Sequence, residues 1–276
     1  MDALLSSRPS DYHKIMKRSL KLYQISFRKI ILLSLLLSLT IFMPRIFFFI
    51  TGKTLLNSFS LHDLNQLWWL VINLIILLFF IGIIWHMNCV LHKKQEPLIE
   101  DLTIGIKKMI YAFIAILIQS CIIFACTMLF FGIQFVLFQN KLLFINHPID
   151  IVLTGIIFIL QFALITYIAT LFLFLTPLIV TENKSILGAL QRSMKLVWNH
   201  WWRVFSVQIT PWICYAFALL LIKSVGINIY LFANTSSDQI ATIIIDLVML
   251  ALFIPWVAAL LLIQLNDLKM REKLQK

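Results

Sequence analysis

Six apolar stretches, at residues 30–51, 68–91, 109–138, 151–180, 204–222 and 240–265, constrain this 276-residue chain more than any other feature. A helix crossing a hydrocarbon core about 30 Å thick needs about 20 predominantly apolar residues, and each stretch supplies them. With only 13% charged residues, the chain carries about half the charge of an ordinary soluble domain. That composition excludes a soluble helical core. The segments between the stretches are too short to fold separately. The reading is an all-α polytopic membrane protein of six transmembrane helices, forming a single membrane domain over 1–276.

Basic residues orient it. The seven segments flanking the spans carry seven, one, four, one, four, one and four Lys and Arg, with Arg45 inside the first span. Nineteen of the 23 thus share one side, where eight acids leave +11, while three bases and three acids cancel on the other. Lys and Arg accumulate on the cytoplasmic side of membrane proteins, so the N- and C-termini are both predicted to be cytoplasmic. The basic N-terminal region is longer than the n-region of a signal peptide and no small-residue cleavage site follows, which predicts that the first span is retained. Cys89, Cys121, Cys126 and Cys214 all fall within spans and read as small apolar packing residues. Segments 109–138 and 151–180 exceed what a bilayer requires, an excess absorbed by tilt, a kink or extension beyond the lipid.

Three inner stretches have helical amphipathic periodicity. The first, 10–29, begins at the N-cap candidates Ser10-Asp11 and repeats Tyr12, Ile15, Met16, Leu20, Tyr23 and Phe27, with Lys14, Lys17, Arg18 and Lys21 around them. The helix over 185–202 aligns Ile186, Leu190, Met194, Val197 and Trp201. Pro97 to Lys108 is a weaker copy, with Leu98, Leu102 and Ile106 on one face. Amphipathic interfacial helices place such a face in the acyl boundary and their cations among anionic head groups; Trp suits the head-group depth. The lipid-contact candidates are accordingly Lys17, Arg18, Lys21, Arg192, Lys195, Trp198, Trp201, Trp202 and Arg203. Arg18-Ser19-Leu20-Lys21-Leu22 also parallels Arg192-Ser193-Met194-Lys195-Leu196, and Lys29 matches Arg203 at the same offset. This suggests a threefold internal repeat, each unit an inner amphipathic helix followed by two spans.

The run from Leu175-Thr176-Pro177 through Thr181-Glu182-Asn183-Lys184 to Gln191-Arg192-Ser193-Met194-Lys195-Leu196-Val197-Trp198 resembles the YciC-like bacterial inner-membrane proteins. It is also similar to the membrane domain attached to some glycerophosphodiester phosphodiesterases. The shared pattern is a Pro near the inner end of the fourth span, a short polar turn, then an amphipathic helix with an Arg-Ser-hydrophobe-basic core. The resemblance is specific over about 170–205. It implies a multi-pass protein of the bacterial inner (cytoplasmic) membrane linked to envelope integrity, with no established reaction. No phosphodiesterase catalytic domain is present, so that activity does not carry over.

Ionisable residues inside spans are costly and are functional candidates by default; here they are Arg45, His86 and Asp246. Arg45 and Asp246 lie at matching depths near the outer ends of the first and sixth spans, which permits an interhelical ion pair. The bland alternatives are an Arg45 that snorkels and an Asp246 that faces water or a neighbouring helix. His86, Cys89 and His92 recur at intervals of three. That spacing fans them across the helix, so they read as packing and hydrogen-bonding residues rather than a metal site, and no cofactor is predicted. Asn73, Gln119, Gln134, Gln161 and Gln208 read as amides joining helices. Pro44, Pro177, Pro211 and Pro255 read as packing kinks.

No H-E-x-x-H pair, G-x-S-x-G elbow or phosphate-cradling Gly-rich loop occurs. The sequence therefore predicts a non-catalytic protein that contributes to envelope integrity or organisation through lipid or protein contacts. A transporter or channel for a small or lipidic substrate is the alternative, and an intramembrane lipid-modifying enzyme the third reading. Expected partners are anionic phospholipids at the cytoplasmic face and a membrane-protein partner or second copy. Nucleic acid is not expected, because the cations flank membrane spans.

Overall fold

The computed structural model describes residues 9–51, 64–94, 97–139, 148–230 and 237–274. From the charge count, Lys53, Asp63 and Lys141 on one side and Asp2, Arg8, Glu96 and Lys276 on the other lie outside the described residues. The described chain is helical, with no strand: α1 Tyr12–Thr51, α2 Leu64–Leu91, α3 Leu98–Gln139, α4 Pro148–Leu171, α5 Leu175–Glu182, α6 Ile186–Trp198, α7 Trp201–Tyr230 and α8 Ser237–Leu274. Six helical segments are long and apolar enough to cross a membrane, and they coincide with the six predicted stretches.

The inner extensions are built differently from the expectation. Residues 10–29 do not form a separate interfacial helix; from Tyr12 they are the first half of α1, 40 residues long. At 1.5 Å per residue that is about 60 Å of helix, twice the hydrocarbon thickness. Residues 98–108 likewise run without interruption into α3. Only the third stretch is a distinct helix, α6. It ends at Trp198 rather than 202, because Asn199-His200 turn the chain and Trp201 opens α7. The apolar stripe of α6 is covered by protein: Leu190 and Val197 are buried, and Ile186, Met194 and Trp201 pack against the same core. A helical stripe specifies a buried face without specifying whether lipid or protein buries it. Here protein does.

Helix α8 is central. From Ala251 to Ile263 it is apolar and largely buried, as a helix enclosed by others must be. Its longest partner is α1, which runs antiparallel to it through a seam of alternating large and small residues. Ile15, Ser19, Leu22, Ser26, Ile30, Ser34, Leu37 and Ser38 are all buried on α1, opposite a helix carrying the buried Ala251, Ala258 and Ala259. Small residues let helix backbones approach in lipid, where apolar faces gain little by leaving the acyl chains. Ser34 Oγ donates to the Ala251 carbonyl at 2.5 Å, and Trp256 Nε1 to Ser19 Oγ at 3.4 Å.

The fourth span is broken. A turn at 172–174 separates α4 from α5, whose residues Leu175 to Val180 are all buried. Pro177 fits the break, although Pro44, Pro211 and Pro255 sit inside continuous helices. In an unbroken helix its ring would clash with the Leu173 carbonyl and its nitrogen could not donate to it. In the first turn of a restarted helix neither demand exists. Pro177 therefore restarts a helix where a simple kink was expected. The break exposes carbonyls at the end of α4, and Ser193 Oγ, buried on α6, donates to the Leu171 carbonyl at 2.6 Å. Ser19 and Ser193, equivalent in the short internal match, are thus both fully buried, but α1 continues straight where α6 turns into α7. Substituting Ser193→Ala leaves the Leu171 carbonyl without this donor. A loss of about 1–3 kcal/mol is expected, read as earlier unfolding in detergent; unchanged stability would remove the assigned role.

Candidate functional site at the basic end of the bundle

The end that carries the cations gathers α1, α7 and α8 around one serine. Ser10 N donates to Asp267 Oδ1 at 2.6 Å, and the Ser10 carbonyl accepts from Arg203 and from Arg271, the latter at 3.1 Å. Arg18 Nη1 donates to Ser10 Oγ at 2.6 Å. Asp267 Oδ2 takes Arg271 Nε at 2.9 Å and Arg203 at 3.4 Å. The Ser10–Asp267 contact closes the α1–α8 seam at the basic end, as Arg45–Asp246 does at the other. His200, in the turn between α6 and α7, is held below the usual imidazole value, first by burial and then by Arg271 and Arg203.

Several predicted lipid-contact residues are therefore committed within the protein. Arg18 and Arg203 hold Ser10, and Arg192 pairs with Glu272 at 2.6 Å. Lys195 reaches Glu272 only at 3.8 Å and is two-thirds exposed. Lys21 is half-buried, whereas Lys17 is exposed. Trp198 and Trp202 are also exposed. Trp201 is partly buried and stacks on Phe205, ring centroids 5.6 Å apart.

A cleft of about 290 Å³ opens beside this cluster, between α2, α5 and α8. Two helix faces line it at i, i+3, i+4 and i+7 spacing: Trp85, Asn88, Cys89 and His92 on α2, and Leu262, Leu265, Asn266 and Lys269 on α8. Both helices run toward the basic end, so each face passes from apolar to polar in that direction. Lys94, Thr181 and Glu182 complete the wall. Lys269 Nζ meets Glu182 Oε1 at 2.5 Å. Lys93 at φ 57° and Asn183 at φ 53° end α2 and α5 in the left-handed conformation. At α2 the Lys94 N–H then donates to the Cys89 carbonyl at 2.8 Å and the Lys93 N–H to the Val90 carbonyl at 3.1 Å, the bond pair of a Schellman cap.

His86 turns away from this cleft, about 100° round the helix from Trp85. Its Nδ1 lies 2.7 Å from Asp101 Oδ2, with the side chains 2% and 0% exposed. The approach of α3 to α2 makes this contact possible: a Cβ added to Gly105 would sit 3.1 Å from the Leu78 carbonyl oxygen. Asp101, one of the eight inner acids, shares a helical face with Leu98 and Leu102, both packed against the core. That register was a readable signal.

At the opposite end the matched depths do produce a contact. Arg45 Nη1 lies 3.1 Å from Asp246 Oδ2. Lys223, assigned by sequence to an outer loop, stands on α7 and reaches Asp246 Oδ1 at 3.0 Å. One buried carboxylate thus joins α1, α7 and α8. Removing the carboxylate strands two cations, while removing either cation leaves the other in place. Asp246→Asn is accordingly expected to destabilise more than Arg45→Ala or Lys223→Ala, measured side by side in detergent; the reverse order would contradict the shared pairing.

Amides behave unevenly. Gln208 Nε2 donates to Gln264 Oε1 at 2.9 Å, and Gln264 passes a bond to the Val204 carbonyl, tying α7 to α8. Asn73 instead bonds the Trp69 carbonyl of its own helix. Searches of protein-family models, curated proteins and solved structures return no match to this chain.

Proposed function

We propose that this chain is a non-catalytic protein of the bacterial inner membrane, with its basic end cytoplasmic, that helps organise the envelope by holding anionic phospholipid against that end. The supporting observation is what internal pairing leaves over. Lys17, Arg28, Lys29, Lys93, Lys94 and Lys107 remain exposed around the basic end, Lys195 stays two-thirds exposed with only a 3.8 Å approach to Glu272, and Trp198 and Trp202 are exposed beside them. Exposed cations near a membrane surface attract anionic lipid by about 1 kcal/mol each, and indole rings settle at head-group depth. The likeness of residues 170–205 to the YciC-like proteins supports the same location and role.

The test is native mass spectrometry of protein purified gently in detergent and offered phosphatidylglycerol and phosphatidylcholine together. Preferential retention of phosphatidylglycerol is expected. The variant Lys17→Gln/Lys195→Gln should lose that preference by roughly thirtyfold, at about 1 kcal/mol per charge. Arg192→Gln should instead lower stability, since its guanidinium serves Glu272. Equal retention of both lipids would reject the proposal.

A further inference from the structure

The cleft between α2, α5 and α8 carries both signs of charge. Its wall presents Lys269 and Lys94 beside the carboxylate of Glu182. Lys269 occupies Oε1 of that carboxylate, which leaves Oε2 to accept from another donor. His92 adds a second acceptor. Its Nδ1 lies 2.9 Å from the Asn88 carbonyl; a carbonyl cannot donate, so Nδ1 carries the proton and Nε2 of the neutral ring accepts. Two helix C-termini border the same space, at Leu91 and Glu182, and each brings partial negative charge that favours a cation. A purely anionic ligand would suit the lysines and meet repulsion from Glu182 and from the two helix ends.

We infer that this cleft binds a phosphate ester carrying a primary ammonium, such as the head group of an amine-bearing zwitterionic phospholipid. The ammonium is taken by Glu182 and His92, and the phosphate by Lys94 and Lys269. The inference rests on the reading that the basic end meets phospholipid, and deepens it by naming a head group. Size agrees: about 290 Å³ is at the bottom of the range for sites enclosing a whole small molecule, enough for a head group and not for acyl chains. Polarity agrees as well. Trp85 and Leu262 lie farthest from the basic end along their helices, and the charged residues nearest it, which is the gradient of a phospholipid in its leaflet.

Native mass spectrometry of the full chain tests this with phosphatidylethanolamine, phosphatidylcholine and phosphatidylglycerol in equal competition. Choline cannot donate hydrogen bonds and glycerol brings no ammonium, so one copy of phosphatidylethanolamine should be retained above both at the cleft. Lys94→Gln, at an exposed position, and Glu182→Gln should each lower that retention about tenfold, with Lys14→Gln, exposed and away from the cleft, leaving it unchanged. Unfolding in detergent reports whether Glu182→Gln keeps its fold; if it does not, Lys94→Gln alone decides. Single-copy phosphatidylethanolamine that ignores Lys94→Gln, or equal retention of phosphatidylethanolamine and phosphatidylcholine, overturns the inference while lipid contact stands. Retention of no phospholipid, with no binding of soluble glycerophosphoethanolamine, overturns both. Soluble glycerophosphoethanolamine, tested alone, separates the sources: binding with the same variant response and no lipid retention would assign the same chemistry to a free metabolite.

Discussion

Asp267→Ala is expected to cost about 3 kcal/mol, the low end for removing one member of a buried charge cluster, since its arginine partners are partly exposed. The Asp267 carboxylate is 3% exposed and receives the Ser10 N–H, Arg271 and Arg203. Alanine at 267 leaves two guanidinium groups facing each other across Ser10 with no anion between them. It also strands the Ser10 N–H. Asparagine should fall between alanine and aspartate, because its amide oxygen still accepts from Ser10 while its NH₂ faces the cations. Two readouts check this. Unfolding in detergent should order the three proteins Asp, Asn, Ala. Trypsin should cut faster after Lys14 and Lys17 in the alanine variant, because release of Ser10 frees the first turns of α1 to open locally. Equal cleavage in all three would show that the cluster does not anchor α1.

The same residue shows where the sequence was legible and where it was not. Spans are set by apolar length, a property each segment carries alone, so all six were readable to within a few residues, apart from the inward extensions and the α4–α5 break. Arg45–Asp246 was readable because both residues sit inside spans, where depth can be counted from the ends. Asp101, Glu182, Asp267 and Glu272 sit just beyond the apolar stretches, where the sequence shows only their side of the membrane and not their partners. Their pairing depends on α1, α3 and α8 continuing as helices past the apolar limit. That continuation follows from packing between helices, which hydropathy does not encode. Serines 19, 26, 34 and 38 carried a partial signal, since small residues at near-helical spacing along one face predict close approach of a second helix. The identity of that helix was beyond the sequence. The cleft was equally hidden: Cys89 and His92 were visible as residues of chemical interest, but Glu182 and Lys269 reach them only through the break at Pro177 and the placement of α8.

His86→Leu is expected to destabilise the protein by about 3–5 kcal/mol, as for any buried pair that loses one partner. It leaves the Asp101 carboxylate, 0% exposed, without the imidazole donor. Asp101→Val should cost less, about 1–3 kcal/mol, because a neutral imidazole with one unmet N–H is cheaper to bury than a carboxylate. The informative variant combines both. His86 Nε2 and Asp101 Oδ1 have no hydrogen-bond partner among the described residues, so the pair is only half satisfied even when intact. A half-satisfied buried pair replaced by apolar side chains of similar volume is often neutral or stabilising. His86→Leu/Asp101→Val should therefore unfold within about 1 kcal/mol of the parent, well short of the sum of the single changes. That coupling, read in mixed-micelle unfolding, separates structure from function. A double variant as stable as the parent that retains its lipids marks the pair as a device for registering α2 against α3. One that is equally stable but loses bound lipid shows that the ionisable groups themselves are used. A double variant as unstable as the two singles together would mean that the two residues do not act as a pair.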